Sequence, residues 1–141
     1  AGVAEKLDVI FTIENGARLS FEECAMMVRE LDSPFFAMTF DTGHANLEGN
    51  KDGKFQKYAS LPGFVEGEAD CFANIHLHDN HSRKDDHLPP GKGLIDFAGI
   101  FKALRKSNWR GPLTLECPWT SLRESVKRIA SWLRTNERAD R

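Results

Sequence analysis

The chain has 141 residues, 40% of them hydrophobic and 28% charged; 19 basic and 21 acidic side chains give a formal charge of -2. This is enough chain for one ordinary domain, but no large field exists to gather nucleic acid or an anionic membrane without specific contacts. No apolar run approaches the roughly eighteen residues of a membrane span, and Cys24, Cys71 and Cys117 stand in unrelated contexts, so a reducing, cytoplasmic setting is expected.

Val9 to Ile13 is nearly continuous, β-branched and apolar, and reads as a strand covered on both faces. Ser20 and Glu23 fit a capping box, and Phe21, Cys24, Met27, Val28 and Leu31 follow at helical spacing. Ser33-Pro34 stops that helix. Phe35 to Phe40 is a second strand, ending at Asp41 with His44 three residues on. Leu47 to Gly53 is polar and reads as loop. Phe55 to Leu61 reads as a short helix that Pro62-Gly63 interrupts and Phe64 to Asp70 resumes. Phe72 to Leu77 is the third strand. Asp96 reads as the N-cap of a helix with an apolar face at Phe97, Ile100, Phe101 and Leu104. Leu113 to Leu115 is the fourth strand. Ser121 and Glu124 fit another capping box, before a helix lined by Leu122, Val126, Ile129, Ala130 and Leu133. The charged tail, 135–141, is expected to fray.

Four short apolar strands alternating with helices imply an α/β fold with a parallel sheet. Each strand delivers a polar residue at its C-terminal end: Glu14, Asp41, His76 and Glu116. In β/α folds that edge is where ligands and catalysis gather. Four of the five histidines, His76, His78, His81 and His87, fall between Ile75 and Gly93 with Asp79, Asp85 and Asp86. Imidazole and carboxylate are the usual ligands of zinc, manganese and iron, so a metal site is expected here rather than a polar loop with incidental histidines. His78 is assigned the opposite strand phase to His76, orienting a ligand from behind or packed outside. Nothing resembles a phosphate-binding loop or a dinucleotide fingerprint.

The segments Glu14-Asn15, Asp41-Thr-Gly-His44-Ala-Asn46, His76-Leu-His78-Asp79-Asn80, Asp85-Asp86-His87-Leu-Pro-Pro-Gly91-Lys-Gly93 and Gly111-Pro-Leu-Thr-Leu-Glu116 resemble the xylose-isomerase-like TIM barrels. That superfamily includes sugar and sugar-phosphate isomerases and epimerases and the apurinic endonuclease IV branch. Its members have eight βα units, and this chain matches only strands five to eight. The resemblance therefore implies one domain over 1–141, a (β/α)4 half-barrel, completed by a homodimer or a missing N-terminal half.

The resemblance also implies roles. Glu14, Asp41, His76 and Glu116 match the common metal shell, for Mn²⁺, Mg²⁺ or Zn²⁺. Asp85 and His87 match the pair that the endonuclease branch uses for another zinc, and His44 a residue near substrate or a further ligand. Arg83 and Trp119 are candidates for substrate contact. The branch's Asp-Arg-His becomes Asp85-Asp86-His87 here, and its Gly-Glu-Gly becomes Gly91-Lys92-Gly93, which weakens a DNA-repair reading.

The leading expectation is isomerisation or epimerisation of a small sugar or sugar phosphate, with Glu14 and Glu116 moving the proton. Metal-assisted phosphodiester hydrolysis is the alternative, and a non-catalytic half-barrel is the third.

Overall fold

The computed structural model describes residues 2–16, 18–48 and 58–134. The order of elements is α1 (Val3–Leu7), β1 (Phe11–Glu14), α2 (Phe21–Leu31), β2 (Phe36–Asp41), α3 (Thr42–Glu48), α4 (Leu61–Glu68), β3 (Phe72–Leu77), α5 (Phe97–Lys106), β4 (Leu113–Leu115) and α6 (Leu122–Arg134). The strands form one parallel sheet in the order β1-β2-β3-β4. This is the architecture of half a TIM barrel.

The two faces of the sheet differ in chemistry. Met38 and Phe40 of β2 and Ile75 and Leu77 of β3 are fully buried against the helices. Phe40 stacks on Phe72 with ring centroids 5.2 Å apart, and Phe64 of α4 lies 4.6 Å from Phe21 of α2. The register shifts between Met38, opposite Phe72, and Thr39, opposite Asn74. The extra residue lets Phe72 join the core while Asn74 and His76 face the other way. That other face is polar. Thr39 Oγ1 bonds Thr12 Oγ1 at 2.9 Å, and Thr114 Oγ1 donates to Asn74 Oδ1 at 3.2 Å.

Several local expectations hold. Ser20 and Glu23 make both bonds of the capping box, and Asp96 accepts from the Gly99 N–H. Others are corrected. The strand expected over Val9 to Ile13 is Phe11–Glu14, and it is not covered on both faces: Val9, Ile10 and Phe11 are 40%, 57% and 55% exposed. Among the described residues, β1 is an edge strand with β2 as its one neighbour. Leu47 belongs to α3, not to a loop. Pro62-Gly63 begins α4 rather than interrupting a helix. Ser60 caps it through the Gly63 N–H, and proline in a first turn loses no hydrogen bond. Ser121 makes no capping box. Its hydroxyl donates to the Pro118 carbonyl at 2.7 Å, while Glu124 pairs with Arg128. The helix start expected at 55–57 and the tail at 135–141 lie outside the described residues.

Among the described residues, no helix is long and apolar enough to cross a membrane.

Candidate metal and substrate site

The parallel register brings the strand ends together. Asp41 is opposite His76, Glu14 is opposite Thr39, and Glu116 follows β4 directly. Asn15, fully buried, clamps the ends of β1 and β2: its Nδ2 donates to the Asp41 carbonyl at 3.0 Å, and its Oδ1 accepts the Asp41 N–H at 2.8 Å. Three carboxylates then surround one imidazole nitrogen. His76 Nδ1 lies 2.9 Å from Glu116 Oε1, 3.3 Å from Glu14 Oε2 and 3.8 Å from Asp41 Oδ2. Yet His76 Nδ1 is buried without a hydrogen-bond partner, because none of these approaches is aligned as a bond.

The electrostatics of this group are uneven. Burial pushes the Glu14 carboxyl above its ordinary value. Neighbouring Asp41 and Glu116 reinforce the rise, and His76 and His44 oppose it. Burial pushes the Asp41 carboxyl up too, but the hydrogen bond and charge of His78 and the His44 N–H more than offset this, leaving it below the ordinary value. Burial lowers the His44 imidazole, but Asp41, the Asn15 carbonyl, Asp85 and Glu14 raise it further, so its net shift is upward.

A second constellation adjoins the first. His44 Nδ1 lies 3.0 Å from the Asn15 carbonyl, and its Nε2 is 3.2 Å from Asp85 Oδ2. His87 Nε2 is also 3.2 Å from Asp85 Oδ2, while its Nδ1 meets the Glu116 carbonyl at 2.8 Å. His87 has φ 47°, in the left-handed region, a conformation a non-glycine residue adopts at a cost. Ligand atoms of Glu14, Asp41 and His76 lie within 4.8 Å of one another. So do those of Asp41, His44 and His78, and those of His78, Asp85 and His87.

The fold carries these side chains on a known scaffold. The family described as xylose isomerase-like TIM barrel matches residues 1–136. The chain belongs to that family.

Within the xylose isomerase-like TIM barrels, the chain is 30% identical over 107 residues to an uncharacterized protein of Methanocaldococcus jannaschii, covering 75% of this chain and 33% of that one. It is 33% identical over 96 residues to a putative L-ribulose-5-phosphate 3-epimerase of Escherichia coli, covering 64% of this chain and 30% of that protein. The crystal structure of a D-tagatose 3-epimerase-like protein matches with TM-score 0.78 and 26% identity, covering 96% of this chain and 51% of the other. The chain thus spans about a third of the length of these two curated relatives, and half of that structure.

Of the residues singled out in the sequence, Glu14, Asp41, His44, His76, Asp85, His87 and Glu116 converge at this edge of the xylose isomerase-like sheet. Arg83 is exposed, and Trp119 is 82% exposed. His78 departs from its expected orientation. Residues two apart on a strand share a face, and β3 ends at Leu77, so strand phase does not send His78 away. It is fully buried, with Nε2 2.9 and 3.1 Å from the two oxygens of Asp41. Gly43 makes room for its ring, since a Cβ there would lie 2.0 Å from His78 Cε1. Asp79 organises the loop behind the site. Its Oδ2 accepts the Gly91 and Gly93 N–H groups at 2.9 and 2.8 Å, and its Oδ1 those of Asn80 and Ile95 at 2.9 and 3.2 Å.

Proposed function

We propose that this chain supplies the catalytic rim of a divalent-metal-dependent sugar or sugar-phosphate epimerase or isomerase. The observation that carries the reading is the cluster around His76 Nδ1. A buried, unpartnered imidazole nitrogen facing three carboxylates is a donor set suited to a divalent cation. Glu14, Asp41, His76 and Glu116 would hold it. When bound, the ion would polarise the substrate carbonyl and acidify the neighbouring C–H. The names of the relatives point the same way, toward ketose 3-epimerisation.

The chain's own groups then handle the proton. Glu116 takes it from the carbon beside the carbonyl, and Glu14 returns one on the opposite face. Without the ion, burial raises the Glu14 carboxyl above its ordinary value. Asp41 is held in its charged form by His78 and so anchors the cation rather than exchanging protons. The test is Glu116→Gln with metal content checked. Turnover of L-ribulose or D-tagatose should fall about 10²–10⁴-fold while the fold and the metal are retained. Turnover close to the wild-type value would overturn the assignment.

The other half of the barrel would come from a second copy or a complementary half-barrel. The support is that, among the described residues, β1 and β4 are the outer strands of the sheet, with exposed apolar residues at Ile10, Phe11 and, just past β4, Trp119. The phosphodiester hydrolase is the second reading. It is favoured by the approach of His44 and His87 to the same oxygen of Asp85, and assayed by cleavage of DNA carrying abasic sites.

A further inference from the structure

We propose that Thr42 is a positioning residue for the cation site: its hydroxyl, set between the ends of β2 and β3, fixes the backbone from which His76 and His78 reach Asp41. The pairing of the two strands runs as far as Asp41 opposite His76. There the chain of β2 turns into α3, which begins at Thr42, while β3 runs on through Leu77 toward His78. Along β3, Ile75 and Leu77 bond to the β4 side: the Ile75 N–H donates to the Pro112 carbonyl, and the Leu77 carbonyl accepts the Glu116 N–H. Alternation turns the main-chain groups of His76 and His78 toward β2 instead. At His78 that strand has already ended, and His78 is fully buried, so its N–H and C=O need another partner.

The Thr42 side chain takes the place of the missing strand. Its Oγ1 accepts the His78 N–H at 3.3 Å. It lies 3.0 Å from the His78 carbonyl and 3.1 Å from the His76 carbonyl, which share its one proton. Thr42 is itself fully buried. A hydroxyl can accept and donate at once; a valine of the same shape can do neither, and a serine keeps both. The effect reaches the site through both histidines. His76 carries the Nδ1 that faces Glu14, Asp41 and Glu116, and His78 the Nε2 that lies 2.9 and 3.1 Å from the Asp41 oxygens. Gly43, the next residue, leaves the space that the His78 ring fills. The bonds of Thr42 go to backbone, so it acts on the cation site through the placement of these two rings.

The inference rests on the proposed cation site for its effect on metal binding, and a second readout is independent of any ion. Thr42→Val and Thr42→Ser are compared with wild type as full chains. Titrated with Co²⁺ and followed by visible absorption, Thr42→Val should bind about 10–100-fold more weakly than wild type, as expected when a group that orients metal ligands is lost. Thr42→Ser should bind as wild type does. A purely structural role would lower stability toward urea yet leave the affinity of the folded chain unchanged, and that result would overturn the inference. A serine variant as weak as the valine variant would overturn it too, because the methyl group would then be what matters. In metal-free protein, proton NMR should show the His78 ring N–H, held on Asp41, in slow exchange with water in wild type and Thr42→Ser, and in fast exchange in Thr42→Val. An unchanged ring proton in Thr42→Val sinks the inference. Should Thr42→Val unfold, the wild-type spectrum decides: the Thr42 hydroxyl proton should itself be protected, and a freely exchanging one rules out the role. A wild type that binds no Co²⁺ overturns the proposed function, and the ring-proton comparison then decides the role of Thr42 by itself.

Discussion

Burial raises both Glu14 and Asp41, but His78 and the His44 N–H outweigh it at Asp41, so the two net shifts are opposite and the metal-free chain's stability depends on pH in two directions. Asp41 has its value lowered by His78, so the folded chain binds that proton less tightly than the unfolded chain. Its stabilisation is present above the ordinary carboxylate value of about 4 and is lost as pH falls through the lowered folded value. Glu14 has its value raised by burial. Its protonated form is favoured in the fold, and stability is lost as pH climbs from the ordinary value through the raised one. In metal-free protein, urea unfolding should find Asp41→Asn less sensitive to acid than wild type. Glu14→Gln should be more stable than wild type at neutral pH.

Gly43 is decided at the same scale. A methyl group 2.0 Å from the His78 ring cannot be accommodated without moving a side chain that holds Asp41. Gly43→Ala should cost about 1–3 kcal/mol in chemical unfolding and weaken Co²⁺ binding in the same protein. A variant that lost stability but bound metal normally would separate the ring's position from the site. Cys71 carries no such chemistry. It is 4% exposed, and burial pushes its thiol up to about 11, so alkylation at mild pH should leave it unmodified in the folded chain.

The loop between β3 and α5 is the element that matters most to the site, because Asp85 and His87 sit on it. It has little regular structure of its own. One buried carboxylate, Asp79, gathers four of its backbone N–H groups, and Gly93 passes so close that a Cβ would lie 2.3 Å from Asp79 Oδ1 and the Asn80 carbonyl. Asp79→Ala should cost about 1–3 kcal/mol, with hydrogen exchange accelerated at Gly91, Gly93 and Ile95. A variant with unchanged exchange at those amides would mean the loop is held by something else. On the opposite side of α2, Arg29 reaches Glu68 Oε2 at 2.7 Å and Asp70 Oδ1 at 2.8 Å, and Tyr58 donates to the other Glu68 oxygen. Glu68 is buried and Arg29 half exposed, so this network ties α2 to the start of β3 rather than offering a free ligand set.

Over the whole molecule, stability rests on one side of the sheet. Phe40 is fully buried among Phe21, Phe64 and Phe72, and Phe40→Ala should cost about 3–5 kcal/mol in urea unfolding. The opposite face, with Thr12 and Thr114 exposed, would form the interior of a closed barrel. Open β1 and β4 edges favour association. Phe11→Lys should lower self-association in sedimentation or light scattering without changing the core.

Strand and helix identity came from local pattern: period-two and continuous apolar runs, capping residues at fixed offsets, and polar residues where strands end. These are properties of neighbours in the chain, so Glu14, Asp41, His76 and Glu116 were legible as a set, as were the capping box at Ser20 and the N-cap at Asp96. Three-dimensional neighbours were not legible. The exposure of Val9, Ile10 and Phe11 depends on which strand lies beside β1, and composition is silent on that. The clamp from Asn15 to Asp41 spans 26 residues, and the bond from His78 to Asp41 spans 37. Sequence determined which side-chain types are available and on which edge they sit; only the tertiary structure decided which histidine nitrogens meet a partner, His78 Nε2 at Asp41 and His87 Nδ1 at the Glu116 carbonyl, and which are buried without one, His76 Nδ1 and His78 Nδ1.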